Sequence, residues 1–239
     1  MHVHLYVLVF VYETIENATS DISDKIKTGT KGSLTATVLI HHVKNLKNHC
    51  HDQQFFFWRI MQDGELLFRD CNRPPYLNLV EIPKRNLKST ASYVANRSHV
   101  IATLWRWVYN DDDVSSSDEV KMSALHQIVE QTCLSLIRVF TGYTPNHFAL
   151  EYLFLLCEYF TTLTADFFPR QTLEDKSLFK LLKLQPSTLR FSKFNDINYV
   201  HYQLTQERCS EFIKQADIII QNEMERLNKD EDETKKINN

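Results

Sequence analysis

Apolar residues recur along most of this chain in steps of three, four and seven, the spacing that lines one face of a helix. The first such segment runs from Val3 to Ile26, with Val7, Phe10, Val11, Ile15, Ile22 and Ile26 on one face. Its β-branched start is a poor helix former. Thr28 to Ser33 reads as a loop, and Ser33 can cap the next helix. That second helix is expected from Leu34 to Lys47 on Val38, Leu39, Val43 and Leu46. A third spans Asp52 to Asp70 and is rich in aromatics. Asp52 is its cap, Gly64 a weak point in its interior, and Asn72-Arg73-Pro74-Pro75 its stop. Tyr76 to Pro83 alternates and is the one credible strand.

Helix four covers Asn86 to Tyr109. The acidic and serine-rich stretch from Asn110 to Ser117 then forms the clearest loop. Ser116 and Glu119 have capping-box spacing ahead of Met122, Leu125, Val129, Leu136, Ile137 and Phe140, and Gly142 fits a C-terminal cap. Thr144-Pro145 opens a sixth helix through Leu163, apolar nearly all round and therefore expected at the centre of the core. Leu173 to Leu184 and Val200 to Leu227 complete the set, with Phe191 to Phe194 an ordered loop between them. The result is an all-α domain of about eight helices over residues 1–228, followed by a charged, disordered tail over 229–239.

Composition agrees. In 239 residues there are only 4 glycines and 6 prolines, too few for a sheet protein with many tight turns, while 43% hydrophobic residues supply a core. A net charge of −3 gives no reason to expect nucleic acid as a direct partner. The nine-residue apolar run from Val3 to Val11 is too short to span a bilayer and lacks a basic leader, so no membrane segment or signal is expected. The 5 cysteines are scattered and odd in number, four of them among apolar or helical neighbours, which fits reduced thiols in an intracellular compartment.

Catalytic signatures are missing from the pattern. The chain has no nucleophile elbow, no HExxH and no phosphate loop. An Arg/His pair of the helical-nuclease kind would have to be Arg138 and His147, but Gly142 and Pro145 interrupt the spacing. No enzyme activity is expected.

Two features do carry chemistry. The first is His41-His42 with His49-Cys50-His51 shortly after it. Imidazole and thiolate suit zinc, yet no four-ligand set is visible. On an unbroken helix His42 and His49 would lie about 10 Å apart, too far for one ion. One or two ligands from His49, Cys50 and His51 remain, to be completed by a partner chain; the alternative is that all are polar residues at a helix corner. The second is Phe55-Phe56-Phe57-Trp58, four aromatics covering a full helical turn. With Val7 and Phe10 of the N-terminal run, Phe55, Phe57 and Trp58 are candidates for binding a partner.

In its length, helical layout and incomplete cluster Asn48-His49-Cys50-His51, the chain resembles the shelterin bridge proteins of fission yeast, Poz-type telomere adaptors. The resemblance implies a helical homodimerisation fold similar to the homology domain of telomere-repeat factors. It also implies a nuclear, non-enzymatic role, bridging the double-strand and single-strand telomere-binding subunits and regulating telomerase. The implied partners are a Rap-type subunit and a single-strand-side subunit that completes a shared zinc site, with His49 as the matching ligand. A generic helical regulatory or scaffold module, with no metal role, is the other reading.

Overall fold

The structure is a computed structural model that describes residues 3–13, 16–46, 51–70, 83–109, 118–185, 187 and 198–237, with the backbone alone at 45, 46, 51, 52 and 234–237. It is mostly helical, as expected. The chain divides into two compact units, Met1–Asn86 and Leu87–Asn239, where the sequence suggests one domain.

The N-terminal unit corrects the reading of the first two helices. Residues Val3–Val11 form strand β1, Ala18–Gly29 helix α1, and Leu34–His42 strand β2. The strands pair in parallel, with Val3 opposite Leu34 and Val11 opposite His42. Among the described residues the sheet has two strands. Parallel strands need a crossover, and α1 supplies it. β1 carries four valines and three further large apolar residues, which favour a strand once the chain can pair. Helix α1 is mostly polar, with Ala18 buried, and packs against β2. The Ser23 hydroxyl donates to the Ala36 carbonyl at 3.0 Å. Ser33 therefore enters a strand and caps no helix. The turn before it has Lys31 and Gly32 at φ 51° and 80°, and closes with Gly32 N–H donating to Lys27 O at 2.7 Å.

A single turn α2 (Val43–Leu46) comes next, and then α3 (His51–Asp63). Helix α3 ends seven residues earlier than the pattern suggests. Gly64 N–H closes it onto Ile60 O at 2.7 Å, and residues 65–70 leave the helix. The Asn72–Pro75 stop, the Tyr76–Pro83 strand up to residue 82, the Asn110–Ser117 loop with its Ser116 cap, and the Phe191–Phe194 loop lie outside the described residues.

The C-terminal unit is helical. Helix α4 (Leu87–Tyr109) packs along α5 (Asp118–Thr141). The early part of α4 meets the late part of α5, because Arg138 reaches Ser89. The pair is therefore antiparallel. Helix α5 is the central one: sixteen of its 24 residues are buried. It is contacted by α6 (Leu150–Cys157), α8 (Leu173–Leu182) and α9 (Tyr199–Ile237). Of the segment expected as one central helix from Thr144 to Leu163 only α6 is helical: residues 142–149 are not, so Thr144-Pro145 opens no helix, a turn follows at residues 158–160, and α7 (Leu163–Phe167) begins where the expected helix ends. Continuous apolarity there reflects burial, not length. Phe154, Phe168, Phe179 and Phe212 share the core, with ring centroids 5.2 to 5.4 Å apart. Helix α9 is 39 residues long and runs to Ile237, through the segment expected to be disordered. Cys133, Cys157 and Cys209 are free, buried thiols, and burial pushes the Cys209 thiol up.

Candidate functional site

The parallel register decides which N-terminal side chains share a face. Residues opposite one another project to the same side, so His4, Tyr6 and Phe10 of β1 stand with Thr35, Thr37 and His41 of β2. At one end of this face His4 sits between two hydroxyls. Its Nδ1 is 2.7 Å from Thr35 Oγ1 and its Nε2 2.9 Å from Thr37 Oγ1. One ring nitrogen donates and the other accepts in the neutral form. The His4 ring meets Tyr6 edge-on at 5.1 Å. The sequence reading missed this cluster. Its signal is the spacing of two: His4 and Tyr6, Thr35 and Thr37.

At the other end, α3 lays Phe57 on the same face. Phe57 has no exposed surface, and its ring packs edge-on against Phe10 at 5.6 Å, His41 at 4.8 Å and Phe56 at 5.6 Å. Phe57 is thus core, and unavailable to a partner while the unit is folded. Val7, Phe10, Phe55 and Trp58 are half-buried.

His41 and His42 are successive strand residues, so they point to opposite faces and cannot share an ion. His41 is buried. His42 accepts the Lys44 N–H at Nδ1, 3.0 Å away. His49 and Cys50 lie outside the described residues, and of His51 only the backbone, at the start of α3, is described. Among the described residues no three His, Cys, Asp or Glu side chains come together as a metal site.

Large apolar exposure falls elsewhere. Leu66, Leu67 and Phe68, just beyond the end of α3, are 74%, 70% and 84% exposed. A soluble chain rarely leaves three consecutive large apolar side chains in water.

In the C-terminal unit a polar seam runs between α4 and α5. The Arg138 guanidinium is 3% exposed and donates to Gly142 O at 3.0 Å, Thr144 Oγ1 at 3.1 Å and Ser89 Oγ at 3.3 Å. It thereby clamps the end of α5, where the helix dipole favours a cation. Tyr93 lies between Arg138 and Arg97, 5.6 and 4.6 Å from its ring centre. Further along, buried His126 bonds Leu182 O through Nδ1 at 2.9 Å, which sets that nitrogen as the proton carrier, and its Nε2 is 3.8 Å from Glu130. Burial lowers the His126 pKa and raises that of Glu130. Arg138 is committed to the α5 terminus, while exposed His147 packs on Tyr152 at 5.1 Å. They serve different contacts.

A shallow cleft between α8 and α9 is walled by Phe179, Leu182 and Thr205, with Asp175 and Arg208 paired at its edge at 3.4 Å. Asp175 also closes a capping box with Thr172, whose hydroxyl contact is the chief reason its carboxyl titrates low. Thr205 spends its hydroxyl on His201 O at 2.7 Å. These are structural contacts. Among the described residues no helix is long and apolar enough to cross a membrane. No family model matches the chain, and no curated protein or solved structure matches it.

Proposed function

We propose that this chain is a non-enzymatic adaptor that works by binding other proteins. The observation that carries the reading is the exposed run Leu66-Leu67-Phe68, a large apolar surface of the sort that partners cover. The polar clusters add support. His4, Arg138, His126 and Asp175 are each tied into the fold by hydrogen bonds to neighbouring strands, helix ends or caps.

In its specific form, resting on the resemblance alone, the adaptor bridges the two sides of the telomere complex in the nucleus and shares a zinc ion through His49. The test is co-purification of the full chain with a single-strand-side subunit, followed by metal analysis. Stoichiometric zinc that disappears with His49→Ala supports the bridge; a stable complex without zinc sinks it. A second reading, a scaffold module with no metal, is favoured by the β1-α1-β2 unit, which an all-helical dimerisation fold does not contain. In that reading Leu67→Glu and Phe68→Glu abolish partner capture at unchanged far-UV dichroism, and chelators do nothing. Retained capture by both variants would refute the apolar run as a binding surface.

A further inference from the structure

Helix α4 is 23 residues long and buries only Leu87, Thr90 and Val108, whereas α5 beside it buries sixteen of its 24. Thirteen residues of α4 are exposed, and two of these, Lys88 and Arg106, are charged. The solvent face of a helix is ordinarily its charged face. Loss of charge together with Trp, Tyr and Arg is the composition of a surface that another protein covers. Trp107, Tyr109 and Val100 are 42%, 54% and 41% exposed, and Arg106 precedes Trp107 in the sequence.

The spacing on that face fits a second helix. Lys88, Ser92, Ala95, His99, Ala102 and Arg106 succeed one another in steps of four and three, all exposed. A strict repeat of about 3.5 residues keeps such a line against a helix that crosses at about 20°. Ala95 and Ala102 end at Cβ, so the two backbones can approach to about 8 Å. Charge says what the second helix carries. Helix α4 holds Lys88, Arg97 and Arg106 and no Asp or Glu. Arg97 is used on the packed side, 4.6 Å from the centre of the Tyr93 ring and within the field of Glu130. Lys88 and Arg106 have no ion-pair partner among the described residues. They stand at the two ends of the seam, about 27 Å apart.

We propose that the outer seam of α4 is the docking surface for an acidic helix of a different protein. Small side chains of that helix seat on Ala95 and Ala102, and its carboxylates reach Arg106 at one end and Lys88 at the other. Val100 and Trp107 lose water along one side of the contact. A seam about 27 Å long and about 10 Å wide buries roughly 500–600 Å² over both partners, below the ~1,200 Å² of a stable interface. The contact is therefore weak and salt-sensitive, and it gains strength when linked to a second one. It belongs to the C-terminal unit and uses none of Leu66, Leu67 and Phe68, so it goes beyond the adaptor reading and stands even if that run binds nothing.

The experiment is fluorescence anisotropy of a labelled synthetic helix titrated with the full chain, in 50 and 500 mM NaCl. The probe is an alanine-rich helix with two clusters of glutamate on one face, about 27 Å apart to match the two bases. Saturable binding is expected at low salt, at least tenfold weaker at high salt. Arg106→Glu should weaken it tenfold or more. A probe with lysine in place of glutamate should bind Arg106→Glu better than wild type. Ala102→Leu changes no charge and should still weaken binding at least fivefold, because it holds the helices apart. Both positions are exposed, and far-UV dichroism checks that the helices persist. Leu67→Glu should bind the probe as wild type does, which separates this surface from the apolar run. Absence of saturable binding overturns the proposal. So does equal binding of a probe with its glutamates dispersed over all faces, or indifference to both Arg106→Glu and Ala102→Leu.

Discussion

Replacing Phe57 by alanine should remove most of the stability of the N-terminal unit. The ring has no exposed surface and touches Phe10 from β1, His41 from β2 and Phe56 of its own helix. It is the wedge that fixes α3 on the sheet. Deleting a fully buried Phe costs about 3–5 kcal/mol, because the transfer energy is lost and the cavity cannot close. Domains hold only about 5–15 kcal/mol in total. With a urea slope of about 1.5 kcal/mol/M, the midpoint should fall by about 2–3 M. Trp58 is the adjacent residue, and replacing the other tryptophans, Trp105 and Trp107, by Phe makes it the sole reporter. Phe55→Ala is the internal control. Phe55 is only half-buried, so its loss should cost roughly half as much. Phe57→Leu keeps most of the volume and should fall between wild type and Phe57→Ala. If Phe55→Ala costs as much as Phe57→Ala, the helix is rotated and the argument fails.

The C-terminal unit offers three more measurements. Because burial holds the His126 pKa below its unfolded value, the unfolded state binds the extra proton first, so stability should fall as pH drops below about 6.5. Glu130 acts oppositely: its raised pKa contributes stability present at low pH and lost as pH rises above the ordinary carboxyl value. The fall in urea midpoint below about pH 6.5 should therefore be reduced in His126→Gln, and an unchanged slope there refutes the assignment. Gly142→Ala should cost about 1–2 kcal/mol by thermal unfolding, since φ there is 76° and its N–H closes α5 onto Arg138 O at 2.9 Å. Thr172→Ala removes the hydroxyl that accepts from Asp175 N–H, one of the two bonds of the α8 capping box, and should cost about 1 kcal/mol; no change in melting temperature would show the cap to be idle.

Helices that pack one face against a neighbour were legible from spacing. The expected limits Asn86–Tyr109 and Leu173–Leu184 differ little from Leu87–Tyr109 and Leu173–Leu182. In each, a boundary residue and an apolar stripe agree. The β1-α1-β2 unit was not legible. In Val3–Val11 nearly every residue is apolar, so the alternation that marks a strand is missing, although none of the nine is fully buried. Steps of three and four then arise by chance, and α1 supplies real ones from Ile22 to Ile26. The discriminating clue was chemical: two runs with four β-branched residues each, Val3–Val11 and Leu34–His42, bracket a polar twelve-residue helix. The sixth expected helix failed for a related reason, since apolarity all round reports burial and is silent about where the backbone turns.

The two candidate sites separate along the same line. Residue type placed a histidine cluster at His41–His51, but only backbone geometry says where the rings go, and a strand sends His41 and His42 to opposite faces. For the aromatic turn, composition could not say which of Phe55, Phe57 and Trp58 faces in. The exposed run Leu66–Phe68 depends on a single residue. A Cβ added to Gly64 would lie 2.5 Å from the Ile60 carbonyl oxygen, closer than real contacts permit, so the turn that ends α3 tolerates only glycine without shifting. Gly64→Ala should therefore disturb the closing bond and the direction in which Leu66 leaves. If the apolar run is the binding surface, that variant should weaken partner capture while leaving the Phe57 core and its urea midpoint nearly intact. A drop in both would place Gly64 in the stability of the unit, with the presentation of the run a secondary effect.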